Sequence, residues 1–198
     1  KYFLTMKEKV SNTYILGLKR GQVKLVPHQT DWHKDAAGVI KKLKEILGNS
    51  AIDIQHVGST AILNICAKPI IDIAVGVGND ADILLQREAL ARHGIIYRGE
   101  DVKGQILFVL GDFLQDTRTH HIHVVKWQGK EWNDYINFRD FLNSSKESAD
   151  FYDKSKRILA LRFSNDRKRY TQGKKKIIDE LLLKAKGWRQ SRIHAENT

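Results

Sequence analysis

His56-Val57-Gly58-Ser59-Thr60, followed seven residues later by Lys68-Pro69-Ile70-Ile71-Asp72-Ile73-Ala74-Val75, is the stretch on which the fold turns. A strand-like run, Ile52 to Val57, stops at a Gly-Ser-Thr turn, and a second run, Ile70 to Val77, carries one carboxylate, Asp72, among Ile, Ala and Val. A charge in such a β-branched strand costs several kcal/mol if it is desolvated without a partner, so Asp72 must be paired, hydrogen-bonded, metal-bound or at an exposed strand end. Gly58 lets the backbone turn sharply, and Ser59 and Thr60 bring hydroxyls and N–H groups to a place where a short helix can begin, a common way of holding phosphate. The two runs read as an anion cradle beside a cation ligand.

Working outward, Val23 to Pro27 is a short extended segment closed by proline. Thr30 reads as an N-cap with Asp31 in the first turn, and Trp32, Ala36, Val39, Ile40, Leu43, Ile46 and Leu47 fall on one helical face that ends at Gly48-Asn49. Beyond the central pair, Asp80 is expected to cap a helix over Ala81 to His93. Ile95–Arg98 and Gln105–Leu110 form an antiparallel pair around the turn Gly99 to Gly104, and Thr119–Lys126 is the next strand. From Glu131 the period becomes helical: Trp132, Tyr135, Ile136, Phe138 and Leu142 share a face, Ser144 with Glu147 reads as a capping box for a helix to about Phe163, and Asn165 or Asp166 opens a last helix. Gly187 is expected to stop that helix and Ser191–Thr198 to form a loose tail. The fold class is therefore α/β of the α+β type, a mixed sheet flanked by helices with a helical C-terminal third. It forms one domain: an extension over residues 1–20, a sheet core over 21–130, helices over 131–187 and a tail over 188–198.

The 198 residues, 41% of them hydrophobic, suffice for one proper core. One cysteine, Cys66, excludes an internal disulfide, and it lacks the context of a nucleophile. No run approaches the roughly 20 apolar residues of a membrane span, and Lys1–Val10 lacks the apolar core of a signal peptide, so a cytoplasmic setting is expected. The formal net charge of +11 is concentrated: Lys154 to Arg189 holds 13 Lys or Arg against Asp166, Asp179 and Glu180. Such a face suits nucleic acid or nucleotide phosphates, or is simply a solvated helix surface; aromatic residues are not interleaved as in a strand-stacking platform.

The motifs LKRGQVKLVPHQTDW, HVGST, KPIIDI and THHIHVV, in the family's order and spread between about Leu18 and Lys186, resemble the GrpB family, whose fold is similar to that of the polymerase-beta-type nucleotidyltransferases. The resemblance implies a Gly-Ser turn that holds a triphosphate, here Gly58-Ser59, and a first metal-binding acid on the following strand, here Asp72. The family of transferases places a second acid two residues on, where this chain has Ala74. One carboxylate can share a Mg²⁺ with substrate oxygens and water, but it does not bridge two metals.

His121 and His123 stand two apart in a strand and so point to one face, with His120 opposite. If that strand neighbours the one bearing Asp72, two imidazoles and a carboxylate make a site for Zn²⁺, Mn²⁺ or Fe²⁺, or equally, when protonated, a phosphate-binding pair; the cofactor expected is Mg²⁺ or Mn²⁺, with Zn²⁺ as the alternative, and Asp72, His121 and His123 are the candidate catalytic and metal-binding residues. The bland alternative is hydrogen bonding within the core, with Asp72 held by N–H groups or by Lys68. His56, Gly58, Ser59, Thr60, Lys68 and Arg118 are the candidate contacts to a nucleoside triphosphate or other phosphate-bearing small molecule, and Glu100 or Asp101 is a fallback for the missing acid. Three functions follow: a metal-dependent nucleotidyl transferase, a phosphate-binding module without catalysis, or a nucleic-acid-associated protein using Lys154 to Arg189.

Overall fold

A computed structural model describes residues 14–196. Most of the expected extension, residues 1–13, and the last two residues of the expected tail lie outside the described residues. The elements are β1 (Leu18–Lys19), α1 (Asp31–Leu47), β2 (Asp53–Val57), β3 (Ile71–Val77), α2 (Asp80–Leu85), α3 (Arg87–Arg92), β4 (Ile96–Val102), β5 (Gln105–Leu110), β6 (Thr117–Arg118), β7 (His120–Lys126), α4 (Lys130–Ser144), α5 (Lys146–Arg162) and α6 (Arg167–Glu196). Five strands form one mixed sheet in the order β2-β3-β7-β5-β4, and β1 pairs separately with β6. The β3–β7 pair is parallel; its neighbours run antiparallel.

Strand alternation sorts the side chains into two layers. On one face Ile71, Ile73, Val75, Val77, Ile122, Val124 and Phe108 meet Trp32, Ala36, Leu43 and Leu47 of α1, whose spacing puts them on a single stripe, together with Ile83 and Leu90. On the other face Val57, Ala74 and Val125 meet Trp132 of α4. The C-terminal helices have a core of their own, in which Phe138, Phe141, Leu142, Ala149, Tyr152, Leu181 and Ala185 close on Ile62 and Ile65 from the β2–β3 connection. That connection is thereby wedged between sheet and helices, which fixes the Gly-Ser turn at its start. α6 lies close on α5 because residue 173 is glycine: a Cβ there would meet Leu159 Cδ2 at 2.7 Å. Among the described residues no helix is long and apolar enough to cross a membrane.

Several boundaries differ from the sequence expectation, each for a local reason. The helix expected over Ala81–His93 is two short ones with a break at Gln86, whose side-chain amide donates to Ser50 Oγ at 2.7 Å and so ties the backbone to the end of α1. Its cap is Asn79, which accepts from the Ala81 N–H, and not Asp80. β4 continues to Val102, shortening the turn to Lys103-Gly104. Ser145 caps α5 by accepting from the Ser148 N–H, whereas Ser144 still belongs to α4 and donates back to the Phe141 carbonyl. Gly187 does not stop α6. The helix runs on to Glu196 because Trp188 packs on Phe141 with ring centroids 5.9 Å apart and Arg189 binds Asn137 and Asp140 of α4. Residues 188–196 are thus helix and not tail.

Candidate functional site

The register of the sheet builds the site. Asp72 lies opposite Val57 on one side and opposite His121 on the other, while Ala74 lies opposite His123, so one face carries Asp72, His121 and His123 together. Asp72 Oδ1 is 3.3 Å from His121 Nδ1 and 3.4 Å from His123 Nε2. Both distances are at the long end of hydrogen bonding, so the two imidazoles are loosely held on the same carboxylate oxygen. One ligand-type atom from each lies within 4.8 Å of the others, and among the described residues this is the one such cluster. The Asp72 side chain is 28% exposed, opening toward solvent on this face. Burial works to raise its carboxyl, but the hydrogen bonds and charge of His121 and His123 outweigh that and the net displacement is downward.

Gly58 belongs to this centre. Its backbone has φ 72° and ψ −167°, and a Cβ built there would lie 2.4 Å from Asp72 Oδ2. Only glycine lets the turn lie against the carboxylate. Ser59 and Ala61 bound a single 3-10 turn after it, too short to count as a helix N-terminus of any strength. The Ser59 hydroxyl is 3.1 Å from the Tyr152 hydroxyl. Gly58, Ser59, Asp72 and His123 line a cavity of about 390 Å³ together with Tyr135, Phe138, Tyr152, Lys174, Ile178 and Leu182. Glu131 and Asp134 of α4 also line it, and Asp134 is already held by Lys130 at 2.8 Å and Lys186 at 3.1 Å.

Other sequence candidates are placed differently. His56 pairs with Ile73 and so faces α1, on the opposite side of the sheet from Asp72. Its Nε2 is 2.9 Å from Thr60 Oγ1, and Thr60 is only 1% exposed, so these two hold each other and do not reach the cavity. Burial, reinforced by His33 at 5.1 Å, pushes the His56 imidazole down to about 3. Lys68 stands with its ammonium 5.4 Å from the Tyr170 ring centroid; burial, then the charges of Lys174 and Arg167, lower it to about 7 despite the pull of Asp72. Arg118 is 8% exposed, pairs with Asp116 at 3.1 Å, and lines a second cavity that shares His121 with the Asp72 centre. Glu100 accepts from the Gly104 N–H, which fixes the β4–β5 turn, and the Asp101 side chain lies outside the described residues. The place of a second acid is closed: Ala74 is fully buried in the apolar cluster with Val57, Val125 and Trp132.

Sequence reasoning missed Lys174, Tyr135, Tyr152 and Glu131, which reach the cavity from helices remote in the chain and carry no local motif. It also gave the basic C-terminal segment too uniform a surface. Of its 13 cations, Arg157, Arg169, Lys175, Lys184, Lys186 and Arg189 stand in ion pairs. Lys156 is 1% exposed and donates to the Cys66 carbonyl, while Arg167 and Lys174 line the two cavities of the sheet face.

Comparison with known proteins places this architecture. The crystal structure of the conserved protein GrpB from Enterococcus faecalis superposes with a TM-score of 0.73 at 29% identity, covering 81% of this chain and 98% of that one. The glutamate-rich protein GrpB of Alkalihalophilus pseudofirmus is 39% identical over 171 residues, which is 85% of this chain and 98% of the relative. A fainter likeness, TM-score 0.46 at 14% identity over 67% of this chain, is to the Cid1 poly (U) polymerase, too low to carry an argument about function. The family model described as GrpB protein matches residues 22–184, and with that span and these relatives the chain belongs to the GrpB family.

Proposed function

We propose that the protein binds a phosphate-bearing small molecule, a nucleoside triphosphate first among them, with a single divalent cation at Asp72, His121 and His123, and that nucleotidyl transfer is its chemistry. The observation that carries this reading is the convergence of two imidazoles on one oxygen of a strand carboxylate, at 3.3 and 3.4 Å, at the edge of a cavity. A carboxylate with two imidazoles suits Mn²⁺ or Zn²⁺ better than Mg²⁺, which prefers an all-oxygen shell. His123 Nδ1 is buried with no hydrogen-bond partner, so the acceptor that usually orients a ligand imidazole is lacking there. A cation so held supplies charge neutralisation at phosphoryl oxygens. Lys68 and Lys174 add positive charge near Asp72, Gly58 allows close backbone approach, and the rings of Tyr135 and Phe138 offer the ligand body an apolar wall. A cytoplasmic setting goes with this reading.

The test is thermal unfolding with each of the four nucleoside triphosphates and Mg²⁺, Mn²⁺ or Zn²⁺. A rise in melting temperature in the native protein that is lost in Asp72→Asn is expected. No shift with any pairing refutes the proposal. The buried Ala74 favours one further reading, a binding module that keeps the ligand site without catalysis. Metal-independent ligand binding with no turnover supports that reading, and strictly metal-dependent turnover excludes it. A nucleic-acid role through Lys154 to Arg189 draws less support, because so many of those cations are paired or buried; its signature would be RNA or DNA binding that falls steeply with salt.

A further inference from the structure

The geometry points to a receptor for a pyrophosphoryl or triphosphoryl group beside the Asp72 centre: we infer that the cavity lined by Arg20, Arg98, Arg118 and Arg167 takes the polyphosphate end of the ligand. The inference rests on the reading of Asp72, His121 and His123 as a phosphate-ligand site, and adds where the charged tail goes and which way the ligand lies.

The four arginines come from four parts of the chain: just after β1, from β4, from β6 and from the first residue of α6. With His121 they line one cavity of about 580 Å³. That volume is ample for more than one phosphate. Of these four, only Arg118 has a carboxylate within ion-pairing distance among the described residues, Asp116 at 3.1 Å. An arginine cannot shed its proton to relieve crowding, as Lys68 can, so the gathered charge persists and calls for an anion. Two of the guanidiniums are also pre-set. Arg98 and Arg118 both lie against the Phe113 ring, at 5.2 and 4.7 Å from its centroid, which fixes their planes and reduces the ordering cost of binding. Planar forks of this kind match phosphate oxygens two at a time.

His121 lines this cavity while its Nδ1 faces Asp72, and His123 lines the aromatic cavity on the other side. A ligand centred on Asp72 therefore has its phosphate tail among the arginines and its body toward Tyr135 and Phe138. This moves the phosphate tail away from Thr60, which is buried and bound to His56.

The test uses inorganic tripolyphosphate, pyrophosphate and orthophosphate in calorimetric titrations of the intact, metal-free protein. Tripolyphosphate should bind at least roughly tenfold more tightly than orthophosphate, and Arg20→Ala with Arg98→Ala, both at exposed positions, should weaken it by about tenfold or more. Tripolyphosphate binding that is equal in the double variant overturns the inference. Single-stranded RNA that displaces tripolyphosphate more effectively than an equal concentration of pyrophosphate overturns the small-molecule assignment. Mn²⁺ binding, read separately by electron paramagnetic resonance, isolates the two claims: its loss in Asp72→Asn with its retention in the arginine variant supports the arrangement. Absence of Mn²⁺ binding in the native protein removes the metal reading without touching the tripolyphosphate result.

Discussion

Replacing Gly58 with alanine tests the architecture of the centre at its tightest point. The residue sits at φ 72° and ψ −167°, a region that side-chain-bearing residues scarcely enter, at a cost of about 1–3 kcal/mol. The added Cβ would lie 2.4 Å from Asp72 Oδ2, 2.8 Å from its Cβ and 3.0 Å from its Cγ, so the carboxylate must also move; overpacking of this kind costs about 1–3 kcal/mol. A total near 3 kcal/mol corresponds to a fall of roughly 6–12 °C in melting temperature for a chain of this size. The assay is urea unfolding of Gly58→Ala in three backgrounds: native, Asp72→Asn and Asp72→Ala. Asparagine has the shape of aspartate and should leave the cost unchanged. Alanine removes the two closest carboxylate contacts and should recover about 1 kcal/mol. An identical cost in all three backgrounds would refute the claim that Gly58 is required by the carboxylate, leaving backbone strain as the whole effect.

The buried histidine on the α1 side predicts acid sensitivity. His56 titrates near 6.5 when unfolded and near 3 when folded, so the unfolded chain binds the extra proton first; stability is intact above pH 6.5 and is lost as pH falls toward 3. Between pH 7 and pH 5 this single group should cost about 2 kcal/mol, and a His56→Gln variant whose unfolding midpoints fall just as steeply over that interval would contradict the assignment. At the α4–α5 junction, Ser145→Ala should destabilise by about 1 kcal/mol and Ser144→Ala by clearly less, because only Ser145 satisfies an N-terminal N–H; the reverse order in chemical denaturation would restore the other capping assignment.

Period-two alternation made much of the sheet legible in the sequence. It places His121 and His123 on one face, and the register of β3 beside β7 then brings that face to Asp72. The same rule also disposes of His56: with Val57 opposite Asp72, the preceding residue must point the other way, but that needs the pairing register, which a lone motif does not carry. The arginine cavity was illegible for a different reason. Its four guanidiniums belong to residues separated by up to most of the chain, each in an unremarkable local setting, and only the closure of β1 on β6 and the docking of α6 gather them. The two adjacent serines, Ser144 and Ser145, were equally good caps on paper; where α4 ends decides between them.

The central position of β7 has a temporal consequence. It slots between β3 and β5, and the contact between Asp72 and His123 joins residues 51 apart in sequence, whereas the β4–β5 hairpin closes locally. Distant parallel pairing pays loop-closure entropy before it returns any stabilisation, so it forms late. The carboxylate and its imidazoles therefore meet only once the middle of the sheet has zipped shut. A ribosome-bound chain that has not yet released Lys126 carries every upstream motif and still has not assembled Asp72 with His121 and His123.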